Sequence, residues 1–194
     1  MAKKETNIQK LNWMEQLAPY ILLLLPFILY ANTLQHGFVL DDRAVIFQNK
    51  FVQQGIAGIG DILTTFYWQG YWEQNGGLYR PLSLIMFAVE WQLSPDNPFI
   101  HHLVQVFLYS LSGFMLYKLM KRVFYNQSYL LPFFVTLLFL AHPVHTEVVA
   151  NIKSRDEILC FLFFVVTANI LLSRKELNWQ TVASASVNYL LCLL

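Results

Sequence analysis

Long stretches free of Asp, Glu, Lys and Arg dominate this chain, and short polar clusters separate them. A helix needs about 20 apolar residues to cross a bilayer core. Windows at about 17–34, 99–117, 124–141, 158–173 and 177–194 approach that length and predict spanning helices. Pro19 and Pro26 fall in the first window, where neighbouring helices can satisfy the carbonyls they free. The last window is still apolar at Leu194. A protein seldom stops inside a span, so the chain reads as the N-terminal part of a longer one. Between the first two windows lies a polar loop, 36–96, with Gly55, Gly58 and Gly60 and an aromatic cluster of Phe66, Tyr67, Trp68, Tyr71 and Trp72. The aromatics fit either a membrane-surface belt or a core within the loop. Pro81 suits the first turn of a helix. The apolar run from Pro81 to Leu93 is too short to span and predicts an interfacial or half-buried helix.

Composition sharpens this picture. Of 194 residues, 56% are hydrophobic and 13% charged, whereas soluble domains carry about 25% charged residues. Mean hydropathy is +0.44. The expected class is an all-α polytopic membrane protein with a large first extracytoplasmic loop carrying short interfacial helices. Net charge is +1 and no basic stripe appears, which argues against a nucleic-acid partner. Cys160 and Cys192 lie in apolar runs and read as inert core thiols rather than a disulfide or metal pair. The long polar lead before the first window, with no small-residue cleavage site, reads as an uncleaved anchor.

Basic residues set the orientation. Lys3, Lys4, Lys10, Lys118, Lys121, Arg122, Arg174 and Lys175 fall on one side; Arg43, Lys50, Arg80, Lys153 and Arg155 fall on the other. The first set is cytoplasmic by the positive-inside rule, which places the N-terminus inside. Most acidic residues lie on the outer side, so the unusual polar chemistry is expected there.

Two polar clusters stand out. Asp41-Asp42 follows directly on the first apolar window. Ionisable groups at a membrane boundary are functional candidates, and mutual repulsion of adjacent carboxylates raises the pKa of one and suits it to act as a base. A solvated turn is the competing reading. The second cluster runs from His142 to Glu157. Pro143 ends the incoming helix, and Thr146 is a fitting N-cap for a new one. On that helix Glu147, Asn151 and Arg155 would share a face, with Val148, Val149 and Ile152 on another; a surface turn with a Lys153–Glu157 pair is the alternative. Both clusters fall on the outer side and would bound one cavity. His101-His102 chelates poorly, since adjacent helical residues diverge by about 100°. No zinc spacing, phosphate-binding glycine loop or nucleophile elbow occurs.

Three stretches in order resemble a known family: Gly37-Phe38-Val39-Leu40-Asp41-Asp42-Arg43 with Asn49; Tyr79-Arg80-Pro81-Leu82-Ser83; and His142 to Ile152 with Arg155. They look like the transmembrane and tetratricopeptide-repeat O-mannosyltransferases and their bacterial relatives, in the GT-C superfamily. The resemblance covers roughly residues 16–175. It implies an N-terminal piece of a GT-C-like helical bundle, without the family's tetratricopeptide repeats, in a bacterial inner membrane, or in the endoplasmic reticulum if eukaryotic. It further implies transfer of mannose or a similar hexose from a polyprenyl or dolichyl phosphate to a Ser/Thr hydroxyl, or to another acceptor such as a glycan, on the outer face, with inversion. Asp41 then matches the family's first-loop acid, with Asp42 beside it. Arg155, Lys153 and Arg80 are candidates for the donor phosphate, and His142, His145 and Glu147 for shaping the cavity or orienting the acceptor. Related lipid-linked oligosaccharide transferases use a divalent metal; no ligand set here demands one. The alternatives are a non-catalytic lipid-binding or scaffold module anchoring a repeat domain, and a transporter, against which the lack of paired charges inside the spans counts.

Overall fold

The computed structural model describes residues 2–72, 76–173, 176 and 178–194, with side chains described from residue 13 onward. Arg174 and Lys175 of the expected cytoplasmic set, and the residue near which the fifth window begins (Leu177), lie outside the described residues, as do the side chains of Lys3, Lys4 and Lys10. The described chain is helical, with no strand among the described residues.

The first helix, α1 (Ala2–Leu29), carries Pro19 and Pro26 inside it and continues through a 3₁₀ turn at Ala31–Gln35. The polar loop 36–96 is built from short pieces: a π-turn at Arg43–Phe47, α2 (Lys50–Gln53), a 3₁₀ turn at Gly55–Gly58, α3 (Ile59–Thr64) and α4 (Pro81–Leu93). Asn49 caps α2, its side chain accepting from the amides of Phe51 and Val52. A Cβ on Gly70 would collide with the Asn49 amide, so a side chain there would displace the cap. Pro81 does open α4, where its missing N–H costs nothing. Val45, Ile46, Val52, Ile62, Tyr67, Leu84, Phe87 and Ala88 of the loop form a second core, completed by Ile152 from much later in the chain. Of the aromatic cluster, Tyr67 is buried in that core and Trp68 packs against it, while Phe66, Tyr71 and Trp72 are exposed.

The remaining helices form a bundle. They are α5 (Pro98–Val123), α6 (Leu130–Ala141), α7 (His145–Ala150), α8 (Arg155–Leu172) and α9 (Trp179–Leu193). α5 packs against α1, α6 and α8, and α8 against α9. Asn97 caps α5 ahead of Pro98, and Asn178 caps α9 by accepting from Thr181 N at 2.9 Å. Gly113 lets α5 approach α6 closely, since a Cβ there would meet Leu140 at 2.5 Å. Polar side chains tie helix to helix: Tyr109 donates to Leu140 O at 3.2 Å, Ser110 to Leu23 O, and Asn169 to Met115 O at 2.9 Å. Lys121 pairs with Glu15, and Arg122 donates to Asn169 O. The basic end of α5 is thus bonded to α1 and α8 at the end remote from the polar loop. By length and composition, α5 is the described helix able to cross a membrane; the stretches Trp13–Leu29 and Leu130–Ala141 are apolar and shorter.

Two expectations fail. Glu147, Asn151 and Arg155 do not share a helix face. Helix α7 stops at Ala150, Asn151 caps a 3₁₀ turn (Ile152–Ser154), and α8 begins at Arg155. The Asn151 side chain accepts from Lys153 N at 3.2 Å, a local bond that competes with helix continuation. Thr146 is not the cap either: Val144 precedes the first turn and makes no side-chain bond there.

Candidate functional site

The site is assembled from the polar loop 36–96 and the α7–α8 turn. The loop reaches it through a strained residue: Leu40 has φ 43° and is 84% exposed. A bulky side chain in the left-handed region is uncommon and marks a conformation imposed by its surroundings. That turn separates the two carboxylates. Asp41 is exposed, whereas Asp42 is 0% exposed. Asp42 Oδ1 accepts from Lys153 N at 2.7 Å and Oδ2 from Val39 N at 3.4 Å. The two polar clusters, 111 residues apart in sequence, therefore meet through Asp42. Burial lifts the Asp42 carboxyl to about 6; the amides of Lys153 and Val39 and the charge of Arg155 oppose the rise, and the charge of Asp41 adds to it.

Behind Asp42 lies a buried ionic group. Arg155 is fully buried, and each guanidinium nitrogen is engaged. Nη1 donates to Glu90, Nη2 to His101 O at 2.9 Å, and Nε to Gln105 Oε1 at 3.2 Å. The guanidinium also sits 4.3 Å from the Phe87 ring centroid, a favourable cation–π placement. His101 Nδ1 approaches the second Glu90 oxygen at 2.5 Å. Gln105 further donates to Val148 O and Asn151 O, fixing the α7–α8 turn against α5. A buried guanidinium needs this full set of partners, because an unpaired ion in low dielectric costs several kcal/mol.

Arg80 stands apart from that group, paired with Asp156 and 34% exposed at its side chain. It lines a cleft of about 510 Å³ with Asp156 and Glu157 at one end and Phe161, Phe164 and the end of α9 along the wall. The cleft is amphipathic: ionic groups at one end, apolar side chains beyond. His145 lines a second, smaller cleft that shares Glu157 and Phe161 with the first. Its ring lies 4.4 Å from that of Phe139; burial, and secondarily His142, lower its pKa, favouring neutral imidazole.

The sequence-predicted residues are thus distributed unevenly. Asp42, Lys153 and Arg155 lie together, with Arg80 joined to the first turn of α8 and His145 in the adjoining cleft. His142 is exposed and its Nδ1 accepts from Val144 N at 3.2 Å, shaping the turn. Glu147 is exposed. Glu90 and Gln105 escaped the sequence reading, and Asp156, inside the second polar cluster, was given no role there. Glu90 was legible as the one charge between Pro81 and Leu93, and Gln105 as a polar residue in an apolar window. Among the described residues, no three His, Cys, Asp or Glu side chains converge as a metal site.

No family model and no solved structure matches the chain. Curated proteins do. The chain is 36% identical over 140 residues to protein O-mannosyl-transferase TMTC1 of Homo sapiens, covering 71% of this chain and 16% of that protein. It is 30% identical over 142 residues to protein O-mannosyl-transferase TMTC3 of Homo sapiens, covering 70% and 15%. It is 29% identical over 169 residues to protein O-mannosyl-transferase F38B6.6 of Caenorhabditis elegans, covering 84% and 24%. The chain therefore spans under a quarter of the length of these relatives.

Proposed function

From the premise that this chain belongs to the TMTC-type protein O-mannosyl-transferases, we propose that it contributes the catalytic rim of a multi-pass membrane glycosyltransferase. The enzyme moves mannose or a similar hexose from a polyprenyl or dolichyl phosphate to a Ser or Thr hydroxyl on the extracytoplasmic face. The observation that carries this reading is the Asp42–Lys153 bond, which brings the acidic loop to the basic turn.

The roles follow from accessibility. Asp41 is the solvent-facing carboxylate and takes the acceptor proton as the hydroxyl oxygen attacks the anomeric carbon. Asp42 is a positioning residue that holds the loop. The bond from the anomeric carbon to phosphate oxygen breaks with inversion, and the phosphate leaves with the electron pair. Cations stabilise that charge. Arg155 donates inward with every nitrogen, so this task falls to Arg80 and Lys153, while Arg155 fixes the turn that carries Lys153. The apolar wall at Phe161 and Phe164 suits the prenyl chain, and His145 faces the neighbouring cleft where an acceptor would be oriented.

The test is Asp41→Asn in the full-length protein, assayed with labelled polyprenyl-phosphate mannose. Loss of a positioned base costs about 10²–10⁴-fold in rate, with insertion and folding intact. Undiminished transfer overturns the assignment.

A further inference from the structure

Cys160 and Cys192 read as inert core thiols in the sequence; the structure brings them together. Their Sγ atoms are 3.2 Å apart, Cys160 is exposed and Cys192 partly so. Cys160 belongs to the face of α8 that lines the large cleft, one turn beyond Asp156, and Cys192 lies near the end of α9 across from it. Both are free thiols. Cys160 is five residues into α8, hence about 7–8 Å along the axis from its polar start, in reach of reagents approaching from the ionic end of the cleft.

We propose that Cys160 and Cys192 form a redox-labile pair that closes as a disulfide and staples α9 to α8 along the cleft wall. Three observations meet here: two thiols in van der Waals contact, on two helices that pack against each other, opening onto a cavity rather than into the core. The oxidant is a second disulfide, of a small molecule or of a thiol–disulfide exchange protein, as found in oxidising compartments. One cysteine, as thiolate, attacks a sulfur of that disulfide and displaces the other sulfur as a thiolate. The second cysteine then attacks the mixed disulfide, and the remaining sulfur leaves. The pair gives up two electrons and two protons, and the incoming disulfide departs as two thiols. The closed bond restrains the chain between positions 160 and 192, which limits the unfolded ensemble and holds the cleft at one width.

The experiment uses the full chain in detergent, incubated with glutathione disulfide and then labelled with a maleimide. The wild type is expected to lose reactivity at both cysteines and, after proteolysis, to yield one peptide pair joined through Cys160 and Cys192, reversed by dithiothreitol. Cys160→Ser is expected to stop at a glutathione adduct on Cys192, since no second thiol resolves it. Oxidation raises the melting temperature of the wild type and leaves that of Cys160→Ser unchanged. Two separate glutathione adducts on the wild type, or two cysteines still open to maleimide, overturn the pair; a joined peptide with no gain in melting temperature overturns the staple. None of these readouts depends on sugar transfer, so they hold or fail apart from the proposed activity.

Discussion

Asp42 shows how one side chain sets both position and pH response. Burial raises its carboxyl from the ordinary 3.8 to about 6. The folded form therefore holds the proton more tightly than the unfolded chain does. Stability contributed by this group is greatest below the unfolded pKa, falls as pH rises through the window from about 4 to 6, and is level above it. A shift of this size corresponds to about 3 kcal/mol. Unfolding followed in detergent across that window is expected to show the decline, and Asp42→Asn to flatten it while keeping an acceptor oxygen for Lys153 N. An unchanged slope in the variant assigns the pH dependence to another group. The adjacent pair stood out in the sequence as a candidate; which member is buried did not, because that depends on the φ of Leu40, 43°, which no residue-type preference dictates.

At the scale of elements, a few small or polar positions fix how the apolar helix faces meet. Arg155→Met strands Glu90 in the interior and is expected to cost about 3–5 kcal/mol, whereas the double change Arg155→Met with Glu90→Gln recovers most of it; guanidinium unfolding of the two variants decides. Gly113→Val forces Leu140, itself fully buried, out of its place between α5 and α6. Overpacking of this kind costs about 1–3 kcal/mol, readable as a lowered melting temperature. Charge-free windows marked the helices well, since a helix in an apolar setting has few alternatives. The α7–α8 turn was misread because Val148, Val149 and Ile152 keep a helical period while Asn151 diverts the backbone with its own side chain. The Arg155–Glu90 pair was invisible for a different reason: charge alone does not say which partner, 65 residues away, it will meet.

For the whole molecule, the proposed transferase site requires the acidic loop and the α7–α8 turn to lie on one side of the membrane. Reporter fusions at His36 and His142 are both expected to report the exterior; a cytoplasmic signal from either separates the two halves of the site. The buried Arg155 group also has a consequence for biosynthesis. Glu90 leaves the ribosome 65 residues before Arg155, an interval of about 3–13 s at ordinary translation speed. Through those seconds the nascent loop holds an acid with no arginine to meet it, and Ile152 of its core is also still to come. Nascent chains halted short of residue 155 are therefore expected to be open to protease at the loop, and released full-length chains to resist it.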